Sequence, residues 1–255
     1  MTTGQQSEQG SAYTPESGAP APESASLFED FIDVFYAPSN VYGRRRSASA
    51  WPYFLIVTVL GIVLTLASRG VFAAAMDAEF SRRMTKMMAD NPQLTPEAIN
   101  ASRGVSEMIG MVAMYAGMPM LILLVGVLVW IAARLVGAKF DMGRAMLISA
   151  IANIPRLLGA LLTAIYGLML SDTSSVTGMT RLTWSPARFF DPDTANAGLL
   201  AVLSRFDIFT LWVTVLLGIG VAVIAKVPRS KGYAAAAIVW AVPTLISGIG
   251  ALMGS

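Results

Sequence analysis

Asn153-Ile154-Pro155-Arg156 is where this chain comes closest to placing chemistry out of reach of water, because Arg156 is the one strong charge well inside an apolar run. An ionisable group there costs about 2.5–3.5 kcal/mol on insertion scales, so it faces protein or water and often marks a transport path. Asn153, Pro155 and Arg156 are therefore the candidate intramembrane polar site. Two plainer readings stand beside it: a structural pair, or an Arg156 that snorkels to the boundary. Elsewhere the reactive inventory is thin. The chain has no Cys and no His, which excludes thiolate nucleophiles, disulfides, His-based proton relays and most zinc or copper sites. No phosphate-loop, zinc-protease, nucleophile-elbow or dinucleotide motif is present. Gly218-Ile-Gly220 lies within an apolar helix and reads as packing. Asp191 and Asp193 read as a turn, and a metal site with Asp207 lacks a second ligand cluster. The expectation is a protein with no catalytic residue, no cofactor and no metal.

The elements that must position these residues are membrane spans. Only 13% of residues are charged and mean hydropathy is +0.61, against about 25% charged residues in soluble domains. Asp207–Lys226 is the plainest span, an acidic cap, an apolar run and a basic stop. Crossing ~30 Å of hydrocarbon at ~1.5 Å per residue takes about 20 residues. Similar runs predict an all-α polytopic membrane helical bundle of five transmembrane helices, over residues 51–71, 108–133, 145–170, 207–225 and 232–253. Pro119 and Pro243 predict kinks in the second and fifth. Small residues at Gly117, Gly159, Gly167, Gly218 and Gly220 predict close helix packing in lipid.

Sidedness follows from the basic residues. Nine of the eighteen crowd three short stretches: Arg44, Arg45 and Arg46; Arg134, Lys139 and Arg144; Lys226, Arg229 and Lys231. Dense Lys and Arg in short loops mark the cytoplasmic side. The expected topology is multi-pass in a bacterial inner membrane, with the N-terminus inside and the C-terminus outside. Basic residues scattered at span ends, with a net charge of only +2, point away from nucleic acid.

Before the first span lie two further segments. Residues 1–25 are polar and Pro-rich, too poor in apolar surface to offset their ordering entropy, and read as disordered; they also lack the apolar core of a signal peptide. Residues 26–36 read as an amphipathic helix with a Ser26–Glu29 capping box. Leu27, Phe28, Phe31, Ile32, Val34 and Phe35 form its apolar side, and Glu29, Asp30 and Asp33 its polar side. Such a helix rests on lipid, on a partner or on its own membrane domain. Phe28, Phe31, Phe35, Pro38, Arg44, Arg45 and Arg46 are the candidate partner or lipid contacts, with a pure topology signal as the bland reading of the three arginines. On the other side, Phe72–Met88 and a helix restarting after Thr95, expected to continue unbroken into the second span, read as one outer segment. Residues 171–206 read as a second, holding a short helix near 195–204.

Three stretches together resemble the Yip1 family of small five-span membrane proteins, in its bacterial branch. They are Phe31-Ile-Asp-Val-Phe-Tyr-Ala-Pro38 through the arginines to Trp51; Ile151-Ala-Asn-Ile-Pro155-Arg-Leu-Leu158; and Asp207-Ile-Phe-Thr-Leu-Trp212 through Gly220 to Lys231. The resemblance covers residues 26–255 and implies a non-enzymatic membrane protein. Some bacterial relatives accompany ABC-type exporters with a periplasmic adaptor. It therefore implies a scaffold or accessory subunit whose partners are membrane lipids and other integral membrane proteins, such as an ABC transporter permease and adaptor. A small-molecule or lipid permease using Asn153, Pro155 and Arg156, and a bilayer-shaping protein, are the alternative functions.

Overall fold

The computed structural model describes residues 25–93, 95–170 and 176–253. Residues 1–24, where most of the expected tail falls, lie outside it. Among the described residues the regular structure is entirely helical.

Helix α1 (Leu27–Tyr36) starts with the expected capping box: Ser26 Oγ accepts from the Glu29 amide and the Glu29 carboxylate accepts from the Ser26 amide. Ala37 leaves helical geometry, and Pro38 opens α2 (Pro38–Arg44) at a position that needs no amide donor. The two short helices form a hairpin. It lies along the bundle and not across its end. Phe35 meets Trp212 edge-on with centroids 5.0 Å apart, Tyr42 packs at Gly220, and an Arg46 Nη donates to the Val223 carbonyl at 2.8 Å. Of the three resting places open to this segment, the helix takes its own membrane domain.

The first span is shorter than expected. Helix α3 (Trp51–Ala67) stops four residues before Val71, and α4 (Arg69–Asp90) leaves it at 71°. The break falls at Ser68, whose hydroxyl donates back to the Leu64 carbonyl at 2.7 Å and competes for an acceptor at the helix end. Seventeen residues reach only about 25 Å. Four helical stretches are long and apolar enough to cross a membrane, or five if the bent pair α3–α4 is one span.

Helix α5 (Pro96–Leu135) begins after Thr95, whose hydroxyl accepts from the Ala98 amide, and runs as one helix through Pro119. The third span is two helices, α6 (Met142–Ala152) and α7 (Ile154–Met169), meeting at Asn153. Two turns of 3-10 helix (Met179–Leu182 and Pro186–Phe189) and α8 (Ala197–Ser204) lead to α9 (Ile208–Ala225). Asp207 caps α9, accepting from the amides of Phe209 and Thr210 at 2.9 and 3.1 Å. Lys226, in left-handed geometry (φ 55°), ends it. Helix α10 (Arg229–Met253) returns alongside α9 and passes through Pro243.

The core is built around α9, α6 and the hairpin, with Val34, Val41, Tyr42, Leu147, Ile148, Ile151, Leu216 and Val221 buried. Helices α5 and α10 flank it. In the most apolar stretch of α6–α7, 67% of residues are buried, against 28% in α5 and in α10. The flanking helices keep wide apolar faces open to whatever surrounds the bundle.

Candidate functional site

Two polar clusters interrupt the apolar interior. The first is centred on Asp30, whose side chain is 0% exposed. Val34 follows Asp30 by one turn, so the helix face that buries Val34 carries Asp30 inward with it. Arg44 Nε donates to Oδ1 and Arg45 Nε to Oδ2, each at 2.6 Å. The Tyr53 hydroxyl also donates to Oδ2. Arg44 reaches Asp33 as well, at 2.7 Å, and Arg45 donates to the Ala25 carbonyl. Burial alone would lower the Arg44 pKa, but the Asp33 and Asp30 carboxylates outweigh it and hold the guanidinium above its ordinary value. A buried carboxylate with three donors ties α1, the C-terminal end of α2 and α3 into one piece.

Arg46 has a different task. It donates to the Val223 carbonyl, close to the C-terminal end of α9, where helical carbonyls concentrate partial negative charge. All three arginines therefore make intramolecular contacts at the basic end of the bundle. The aromatic candidates divide: Phe31 stacks on Tyr53, Phe35 meets Trp212, and Phe28 is 74% exposed. With Ile32 and Tyr36 it forms an outward stripe on α1. Asp30 therefore turns inward from the expected polar side of the helix, while Phe28 and Ile32 of the apolar side face outward.

The second cluster is the α6–α7 break. Ser149 Oγ donates to the Ile122 carbonyl of α5 at 2.7 Å, Asn153 Nδ2 to the Ser149 carbonyl at 2.8 Å, and Arg156 Nε to Asn153 Oδ1 at 2.9 Å. Pro155 sits at the start of α7, where its missing amide leaves no gap in the ladder. Arg156 then borders a cavity of about 260 Å³ with Thr163, Trp184, Asp207 and Thr210. The Asp207 carboxylate is already held, its second oxygen accepting from the Trp184 amide at 2.8 Å. Trp184 Nε1 is buried with no partner among the described residues. The cavity thus presents a guanidinium, an engaged carboxylate and threonine hydroxyls. Such a set suits a small polar group, and among the described residues none of its hydroxyls donates to a base. Asp193 lies elsewhere, paired to Arg82 at 2.6 Å, and its amide donates to Asp191 Oδ1 at 2.9 Å, so Asp207 stands apart from the other two aspartates considered for a metal.

The five packing glycines also divide. A Cβ would stand 2.7 Å from Phe209 at Gly159, 2.5 Å from Tyr233 at Gly218 and 2.8 Å from Ile148 at Gly220, and would run into Val71 at Gly167. Gly117 has nothing within 4 Å of that position. Four glycines therefore serve contacts inside the chain, while Gly117 lies on an unoccupied face.

The family model for the Yip1 domain matches residues 32–251. The chain belongs to the Yip1 family. The match takes in both polar clusters except Asp30, which lies two residues before it. As a Yip1-domain protein with four or five membrane-crossing stretches, it is a multi-pass membrane protein. No curated protein and no solved structure matches the chain.

Asp30, Tyr53, Ser149 and Trp184 are the residues that sequence reasoning missed. Only Asp30 had a readable signal, its one-turn spacing from Val34. The partners of the others are set by packing between distant elements.

Proposed function

We propose that this protein is a non-enzymatic scaffold or accessory subunit that binds other integral membrane proteins, with an ABC-type export complex and its periplasmic adaptor as the assembly suggested by the family resemblance. The observation that carries this reading is the length of α5. Its 40 residues extend about 60 Å, twice the hydrocarbon thickness. Arg134 lies over Trp130 at 3.8 Å near one end, a pairing suited to a membrane interface. Counting about 20 residues back from there brings the far boundary near Met114, six residues inside the start at 108 expected from apolar length. Val105, Met108, Ile109 and Met111 then stand beyond the lipid, and each is more than half exposed. Apolar surface held in water on a rigid helix marks a protein interaction site. On a different side of α5, within the span, Gly117 has nothing within 4 Å of a Cβ position, which leaves room for a second helix. In this arrangement the N-terminus is cytoplasmic, the C-terminus lies outside, and the membrane is the bacterial inner membrane.

Co-purification in mild detergent tests the reading. Ile109→Lys with Met108→Glu should release the partner while the unfolding midpoint of the purified protein stays put. Partner retention by that variant, or substrate movement by the protein alone in liposomes that stops with Arg156→Ala, would sink it. Sidedness is testable on the same chain. Because it has no Cys, a single cysteine at Arg229 or at Ile109 reports its compartment by labelling with a membrane-impermeant maleimide.

A further inference from the structure

At the basic end of the bundle, a cleft of about 470 Å³ opens between the segment after α2, the start of α3, α5 and the start of α6. Its rim carries Arg46 and Arg144. Its wall is Trp51, Phe54, Leu123 and Met146. Trp51 and Leu123 are both exposed, and Trp51 meets Phe54 edge-on at 5.6 Å. Leu123 lies 12 residues before the end of α5 at Leu135, about 18 Å along the helix axis. The cleft is therefore cationic at the boundary and apolar toward the depth of the bilayer.

The charges at the rim are only partly used. Arg46 gives one Nη to the Val223 carbonyl, but its Nε is buried with no partner among the described residues. Arg144 has Asp141 at 3.4 Å, a long contact between two exposed side chains, and such pairs contribute little. Asp141 is also engaged in capping α6, accepting from the Arg144 amide at 2.9 Å. Two guanidiniums against one occupied carboxylate leave the rim net positive.

We propose that this cleft binds one anionic phospholipid, its phosphate between Arg46 and Arg144 and an acyl chain along Trp51, Phe54, Leu123 and Met146. Charge complementarity selects the headgroup, and the apolar wall selects a tethered chain over a free anion. A free phosphate would satisfy the rim and leave the wall bare. A zwitterionic lipid would satisfy the wall and gain less at the rim. The site is independent of any partner protein.

The test uses the full chain purified in non-ionic detergent. Phosphatidylglycerol, phosphatidylcholine or sodium phosphate is added at matched concentration, and the unfolding midpoint and the lipid adducts retained in native mass spectrometry are read. Phosphatidylglycerol should raise the midpoint and remain as a single adduct. Phosphatidylcholine should do so more weakly, and phosphate not at all. Arg144→Gln removes an exposed side chain outside the core, so the variant should fold, and its phosphatidylglycerol affinity should fall about fivefold, as expected for one cation near an anionic headgroup. Trp51→Ala should weaken both lipids. Equal binding of the two lipids, or unchanged phosphatidylglycerol binding by Arg144→Gln, overturns the proposal. A midpoint shift from phosphate equal to that from the lipid would mark an adventitious anion only and overturn it as well.

Discussion

Asp30 and Arg156 are both ionisable groups lodged among apolar side chains, and the fold deals with them in opposite ways. Asp30 is closed off completely and surrounded by cations, with Arg44 and Arg45 on its two oxygens and Tyr53 filling a further acceptor position. Its neighbours form a finished ionic knot. The Arg156 guanidinium makes one hydrogen bond among the described residues, to a neutral amide, and faces a cavity. The first arrangement uses charge to hold three segments together. The second leaves a cation at the edge of a space. A charged group with every valence filled reads as structure, and one with donors to spare reads as a place where something else binds.

Asp30→Ala should do the most damage. Removing one partner of a buried ion pair costs about 3–5 kcal/mol, and here two guanidiniums lose their carboxylate. The unfolding midpoint in detergent should drop sharply, or folded protein should fail to accumulate. A loss under about 1 kcal/mol, the range of an exposed pair, would erase the distinction between the two clusters. Tyr53→Phe sharpens it: losing one hydrogen bond to a charged group should cost about 1.5–3 kcal/mol by the same measurement. At the second cluster, Asn153→Ala should cost about 1–2 kcal/mol, since it strips a partner from the Ser149 carbonyl and from Arg156. Arg156→Met should be mildest, within about 1 kcal/mol, because the side chain borders open space and a methionine can follow the same path. If Arg156→Met unfolded the protein while Asp30→Ala did not, the roles assigned to the two groups would be reversed.

The bundle itself was largely legible. Apolar length, basic stops and capping residues are local properties, and they located α9, α10, the long α5 and the Ser26–Glu29 box without knowledge of the tertiary fold. The end of α3 was not legible, because Val71 remains apolar while the helix stops at Ser68. Ser68 donates back to the Leu64 carbonyl there, but Thr65, Thr163 and Thr214 make the same bond inside helices that continue, so no single residue type marks the stop. The division of the third span at Asn153 was hinted at by Pro155, which disfavours continuing a helix through the preceding turn. The site was read with mixed success. Arg156 stood out because a charge in an apolar run is conspicuous. Asp30 did not, because beside Glu29 and Asp33 it looked like one more solvated carboxylate, and its partners lie 14 to 23 residues away. The glycine pattern was visible too, but the sequence could not tell Gly159, which meets Phe209, from Gly117, which meets nothing.

The hairpin has a consequence for how this protein is made. Tyr42 of α2 and Arg46 just after it rest on Gly220 and Val223 of α9, close to 180 residues downstream. During synthesis at about 5–20 residues per second, the wall against which α1 and α2 dock does not exist for roughly 10–40 s. The knot at Asp30 can close earlier, since Tyr53 and the arginines follow within one span. The amino-terminal segment therefore waits at the membrane with its charges already matched and its apolar face still unhoused. Its docking onto α9 is a late step that reports the arrival of the fourth apolar run, so truncation before Asp207 should leave that segment open to proteases while the earlier spans remain inserted.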